Sequence, residues 1–125
     1  VPIHLDSNFL AAAITQGSRE RATLKRWMSA GETLHVSSMA WAEFVGGPLP
    51  EGALPDIEAL VGTSLPSTSE DALHAARLFN ATGRRPRSLA DCIIAAVAIR
   101  STAESATNDV AHCSRFAEFG LRLAE

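Results

Sequence analysis

Hydrophobic positions along the chain fall into short apolar runs alternating with stretches of helical period. Val1 to Leu5 reads as a short buried strand. Asp6-Ser7-Asn8 then offers the short polar side chains that cap a helix, and Phe9 to Thr15 is the predicted helix. Gly17 breaks it. A second helix is expected from Ser18 to Ala30, with Leu24, Trp27 and Met28 as its apolar face and Arg19, Arg21, Lys25 and Arg26 as its polar one. Gly31 is placed to stop it. Thr33 to Ser37 is the second predicted strand. A short helix, Met39 to Val45, is closed by Gly46-Gly47-Pro48. Residues 48–55 carry three prolines and are expected to form a loop. Asp56 to Val61 is a short predicted helix, and Ser64-Leu65 a very short third strand.

Two Ser/Thr-x-x-Asp patterns follow, each with the form of a capping box. Thr68 to Asp71 opens a predicted helix to about Ala81, and Ser88 to Asp91 opens another to about Thr102. The basic loop Gly83-Arg84-Arg85-Pro86-Arg87 joins them. Ser105 to Thr107 is a predicted strand end, Val110 to Phe116 a short helix, and Leu121 to Leu123 a last strand. Strands alternating with helices predict an α/β fold whose mainly parallel sheet is covered on both faces. In such sheets ligands gather beyond the carboxyl ends of the strands.

Composition narrows the classes. A length of 125 residues predicts one domain, spanning 1–125, and the 46% hydrophobic content is that of an ordinary globular fold. The most apolar run, Cys92 to Ile99, is too short to cross a bilayer, which takes about 20 residues. Residues 1–30 lack the form of a secretory signal, so the expected setting is cytoplasmic, away from the membrane. Cys92 and Cys113 form no CxxC pair and have no nearby His or Cys partners for zinc, so buried free thiols are expected. Net charge is −3, which excludes a broadly basic nucleic-acid binder. The positive charge is nonetheless carried almost wholly by arginine, with Lys25 the one lysine. Arginine favours planar, bidentate phosphate contacts, although an Ala-rich, Arg-rich composition also follows from codon bias.

Against this background four carboxylates stand out. Asp6 follows the first strand, Glu43 lies in the helix after the second, and Asp109 follows a late strand. All three belong on one edge of a parallel sheet. Asp91 opens a helix that reaches the same edge if it runs antiparallel to the strands. Acids set among apolar neighbours repel one another and carry raised pKa values unless a cation intervenes. A hard divalent ion such as Mg²⁺ matches oxygen donors and can serve phosphodiester hydrolysis without a protein nucleophile. Each acid also has a plainer reading. Asp6 can be a helix cap, Asp91 the acid of a capping box worth about 1 kcal/mol, Glu43 a solvated helix residue, and Asp109 a turn residue. Pattern alone leaves both readings open.

The blocks around these acids carry a resemblance. His4-Leu5-Asp6-Ser7-Asn8, the stretch Val36 to Gly46, Leu89-Ala90-Asp91-Cys92-Ile93-Ile94-Ala95-Ala96 and Ala106-Thr107-Asn108-Asp109 resemble, in order, the blocks of PIN domains. The third is the most specific. The resemblance implies a three-layer fold with a parallel sheet of four or five strands between helices. It also implies Mg²⁺, with Mn²⁺ as the alternative ion, at acids matching Asp6, Glu43, Asp91 and Asp109, and endonucleolytic cleavage of RNA by a metal-activated water. At this length the chain looks most like a VapC-type toxin of a type II toxin–antitoxin pair. Such toxins are usually homodimers that cut transfer or ribosomal RNA. A VapB-type antitoxin restrains them, often placing a basic side chain near the acids. Ser7 stands where Thr is common, which keeps the hydroxyl.

Secondary candidates are Arg84, Arg85 and Arg87 as RNA-phosphate contacts, and Asn8 and Thr107 as groups that orient the acids. Their plainer readings are a solvated loop, a helix cap and a strand-end hydroxyl. His4, His35, His74 and His112 show no shared spacing and read as structural or surface. Alternative functions are a PIN nuclease of RNA processing and an inactive PIN binding module. A receiver-like phosphoacceptor domain is disfavoured, because it needs an acidic pair after the first strand and a late lysine.

Overall fold

A computed structural model describes residues 1–125. Four strands, β1 (Ile3–Leu5), β2 (Leu34–His35), β3 (Glu104–Ala106) and β4 (Arg122–Leu123), form one sheet. Their order is β2-β1-β3-β4, and every pairing is parallel. The expected very short strand at Ser64-Leu65 is instead an isolated bridge from Leu65 to Ser37, reinforced by Ser38 donating from its N–H and its Oγ to the Leu65 carbonyl, both at 2.7 Å. The sheet therefore has four strands.

Helices α1 (Ser7–Ala13), α2 (Arg19–Ser29), α3 (Ser38–Val45), α4 (Ala53–Val61), α5 (Ser69–Ala81), α6 (Leu89–Arg100) and α7 (Val110–Cys113) account for most of the remainder, with a 3₁₀ segment over Ser114–Phe119. The first helix starts two residues before the expected Phe9, because Asp6 itself caps it, accepting from the Ser7 N–H at 2.8 Å. Helix α4 starts at Ala53 rather than Asp56. Pro55 is tolerated there because N–H groups of the first turn need no helical partner. The expected helix to Phe116 tightens after Cys113 into the 3₁₀ segment.

The two matching Ser/Thr-x-x-Asp patterns part ways. Thr68 and Asp71 form the capping box in full, each side chain accepting from the other's backbone N–H. Ser88 does not: its backbone is already helical, and its Oγ donates to the Arg85 carbonyl at 2.8 Å. The expectation of a box at Ser88 is corrected, with the consequence that the Asp91 carboxylate is not engaged in capping.

Packing follows the alternation of the strands. Ile3, Leu5, Val36 and Ala106 join Phe9, Leu10, Leu24, Trp27, Ala40 and Phe44 in one core. A second core gathers Ala75, Leu78, Phe116 and Leu121. Helix α6 feeds both, Ile94 into the first and Cys92, Ala95, Ala96 and Ala98 into the second, which is why its sequence is apolar nearly all round. Both cysteines are free and buried, and burial pushes the Cys113 thiol up to about 11. Asp71 and Arg100 join α5 to α6, with Nε 2.9 Å from Oδ1. Burial alone would raise Asp71, but the bonds from Arg100 and Thr68 outweigh it and hold the carboxyl below its ordinary range. No helix is long and apolar enough to cross a membrane.

Candidate functional site

The strand order contains a reversal. From β1 the chain moves outward to β2, then returns across β1 to reach β3. Ligand crevices in parallel sheets lie at such a switch point, beyond the carboxyl ends of the two strands that flank it. Asp6 leaves β1 there, and Thr107, Asn108 and Asp109 leave β3 beside it. The Asp6 N–H donates to the Ala106 carbonyl at 2.9 Å, which locks the two exits together.

Asp6 is 8% exposed. Its Oδ1 accepts from the Ser7 N–H, and its Oδ2 lies 3.2 Å from Thr107 Oγ1. The same hydroxyl lies 3.3 Å from Asn8 Oδ1, so its single hydrogen serves one acceptor at a time. Asn8 Oδ1 also accepts from the Asn108 N–H at 3.1 Å. Ser7 Oγ donates to Glu43 Oε1 at 3.2 Å, tying α3 to the start of α1. Asp91, in the first turn of α6, lines one small recess with Asp6. Asp109 is more remote in role. It caps α7 by accepting from the His112 N–H at 3.1 Å, while its own N–H donates to Thr107 Oγ1 at 3.1 Å.

Electrostatics mark three acids as one group. Burial raises Asp6, the Ser7 N–H pulls it back, Asp91 raises it further, and Thr107 and His112 offset part of the rise. Desolvation likewise raises Glu43 against the Ser7 hydroxyl, with Asp6 and Asp91 adding repulsion. Mutual repulsion at a desolvated edge is what a bound cation relieves. All the donors are hard oxygens, as Mg²⁺ requires, but no three acidic, histidine or cysteine side chains close into a ligand cage. That arrangement fits an ion that takes one or two carboxylates and keeps its waters, and does not fit a closed zinc cage.

Two participants were not singled out from sequence. His112 Nε2 lies 2.7 Å from Asp91 Oδ2, and Arg115 Nη2 lies 2.8 Å from the same ring nitrogen and 3.9 Å from the carboxylate. Their signal was the spacing Asp109-x-x-His112-x-x-Arg115, because residues three apart share one face of α7 and of the 3₁₀ segment that continues it. Ser7 is a third, visible only as a retained hydroxyl. Among the loop arginines, Arg84 stacks on Phe79, its guanidinium carbon 5.1 Å from the ring centroid, and bonds to Asn80. Arg85 lines a recess together with Arg115. Arg87 holds a left-handed backbone, φ 66°, and makes no ion pair.

The fold and this edge together define a class: a parallel α/β domain presenting clustered carboxylates at its switch point. The PIN domain family model matches residues 3–118, and the chain belongs to that family. Its members are typically nucleases and usually metal-dependent. Among solved structures the chain is similar to the VapBC2 complex of Rickettsia felis bound to a promoter DNA fragment, with 17% identity, TM-score 0.78, and 99% of this chain and 98% of that one covered. It is also similar to DNA-bound VapBC of Salmonella typhimurium (20% identity, TM-score 0.73, 99% and 97% covered) and to FitAcB of Neisseria gonorrhoeae (23%, 0.69, 98% and 96%). Likeness at these identities speaks for the fold. By sequence, no curated protein matches the chain.

Proposed function

We propose that the chain is a Mg²⁺-dependent endoribonuclease, with Mn²⁺ as the alternative ion, acting as the toxin of a toxin–antitoxin pair. The observation that carries the nuclease reading is the convergence of Asp6, Glu43 and Asp91, from three separate elements, on one desolvated edge where each pair repels. Asp6, Glu43, Asp91 and Asp109 would be the residues that hold the ion. The ion supplies a more acidic water and neutralises charge on the phosphodiester. The chain's own residues supply position. Ser7 and Thr107 fix the two Asp6 oxygens, Ser7 aims Glu43, and Asn8 holds the 107–108 turn against α1. The reading as one domain over 1–125 is supported by the family match across most of that span.

The toxin role is supported by the resemblance to VapBC and FitAcB over nearly the whole chain. It implies a homodimer and a VapB-type, DNA-binding antitoxin that sets a basic side chain near the acids, with transfer or ribosomal RNA as substrate. In the free chain His112 and Arg115 already place basic groups against Asp91.

The test is cleavage of total RNA by the purified chain. Cleavage that needs Mg²⁺, stops in excess chelator and falls to background in Asp6→Asn and Asp91→Asn is the expected result. Undiminished cleavage by a folded Asp91→Asn chain would overturn the mechanism.

A further inference from the structure

We propose that Arg115 and Arg85 form a second phosphate site, which holds a phosphodiester of the RNA strand beyond the one being cut. The proposal rests on the ribonuclease reading for the identity of its ligand.

The first observation is an unsatisfied buried cation. The Arg115 side chain is nine-tenths buried, and its Nε and Nη1 have no hydrogen-bond partner. A guanidinium cannot shed its proton, and buried donors left without a partner oppose folding. The remaining nitrogen is no better served. If His112 Nε2 carries a hydrogen, it bonds to Asp91 and cannot accept from Arg115 Nη2. If it does not, the Arg115 bond is made and the 2.7 Å approach to Asp91 has no hydrogen between the atoms. One set of contacts therefore always lacks a partner. Arg115 is nonetheless well placed, its guanidinium carbon lying 4.6 Å from the Phe116 ring centroid.

The second observation is a recess of about 510 Å³ beside it, lined by Thr82, Arg85, Ser114, Arg115 and Glu118 among others. Arg85 makes no ion pair within the chain, whereas Arg84 is drawn aside to Asn80 and Phe79. Two arginines line the recess against the single acid Glu118, with Asp91 beside Arg115 outside it, in a chain whose overall charge is −3. The hydroxyls of Thr82 and Ser114 on its wall already donate to the Leu78 and Val110 carbonyls, so the two arginines are the donors the recess offers. The two non-bridging oxygens of a monoanionic phosphodiester match the planar fork of arginine, and a turn of the Arg115 guanidinium toward the recess supplies its idle donors. Because Arg115 Nη2 is 3.9 Å from Asp91 Oδ2, the recess adjoins the carboxylate edge, and one strand can occupy both.

The test uses fluorescence anisotropy with an unstructured, labelled oligoribonucleotide of roughly 12 nucleotides. Binding is measured in the Asp6→Asn background with Mg²⁺ present, so that the strand is not consumed. Arg85→Ala and Arg115→Met should each weaken binding about 3- to 10-fold and reduce the slope of log K against log salt by about 0.7. Arg85 is exposed, so its variant keeps the fold. If Arg115→Met fails to fold by circular dichroism, Arg85→Ala decides alone. Unchanged affinity and salt slope would overturn the proposal. So would an Arg85-dependent rise in melting temperature with inorganic phosphate alone while RNA binding is insensitive, since that would mark a free-anion site. Cleavage by the wild-type chain is scored separately. Its absence defeats the ribonuclease reading, whereas intact cleavage with unchanged anisotropy defeats only the second phosphate site.

Discussion

At Asp6 a single carboxylate is asked to cap a helix, accept from Thr107 and remain close to Asp91 while almost fully buried. Its raised pKa means that, once ionised, it opposes folding at neutral pH. Asp6→Asn should therefore raise the melting temperature of the cation-free chain. Saturating Mg²⁺ should shrink the gap, and a lower melting temperature for the variant would contradict the electrostatic account. Thr107→Val keeps the shape and removes the hydroxyl, and should cut cleavage roughly 10-fold with the fold unchanged, the usual scale for losing a group that orients a ligand. The acids themselves were legible because each sits at a strand exit or a helix start within a recognisable block. His112 and Arg115 were not, because their meaning depends on the short α7 turn and the 3₁₀ segment that continues it, which bring His112 and then Arg115 to Asp91, and no run of apolar residues announces that geometry.

The helices show where local pattern suffices and where it does not. Thr68-x-x-Asp71 and Ser88-x-x-Asp91 read alike, yet only the first is a box. The difference arises outside the motif: Arg100 reaches back from α6 to Asp71, whereas the left-handed Arg87 feeds Ser88 into the helix already turned. Matched substitutions separate the two roles. Asp71→Asn should cost about 2 kcal/mol in chemical denaturation, through loss of a buried charge-assisted bond. Asp91→Asn should leave stability nearly unchanged while removing activity. Equal losses would mean that Asp91 is structural after all. The apolar Cys92–Ile99 run correctly announced a central helix, and the strand positions were found to within two residues. The bridge at Leu65 read as a strand because two residues of sequence cannot distinguish a ladder from a single pairing.

Across the whole molecule the sheet carries a histidine pair, His4 and His35, each with a buried ring nitrogen that has no partner. His4 is 2% exposed, neither ring nitrogen has a partner, and its ring meets that of His35 edge-on at 5.9 Å. Burial, with His35 and Arg100 nearby, lowers its pKa to about 4. The folded state thus refuses a proton that the unfolded chain accepts near pH 6.5. Stability contributed by neutral His4 is complete above about pH 6.5 and is lost as pH falls toward 4, by at most about 3 kcal/mol. Urea midpoints should drop across that window, and His4→Leu should flatten the dependence. An unchanged profile in the variant would assign the acid sensitivity elsewhere.

The strand order has a consequence for synthesis. Strand β1, made before both of its neighbours, lies between β2 and β3, and Asp6 is tied through its backbone to Ala106 and through its side chain to Thr107. A growing chain can pair β1 with β2 early, but the carboxylate edge stays open until the β3 segment has left the ribosome. Whatever chemistry the edge performs is silent in a nascent chain that has made β1 and β2 alone, and it waits for β3 to dock beside β1.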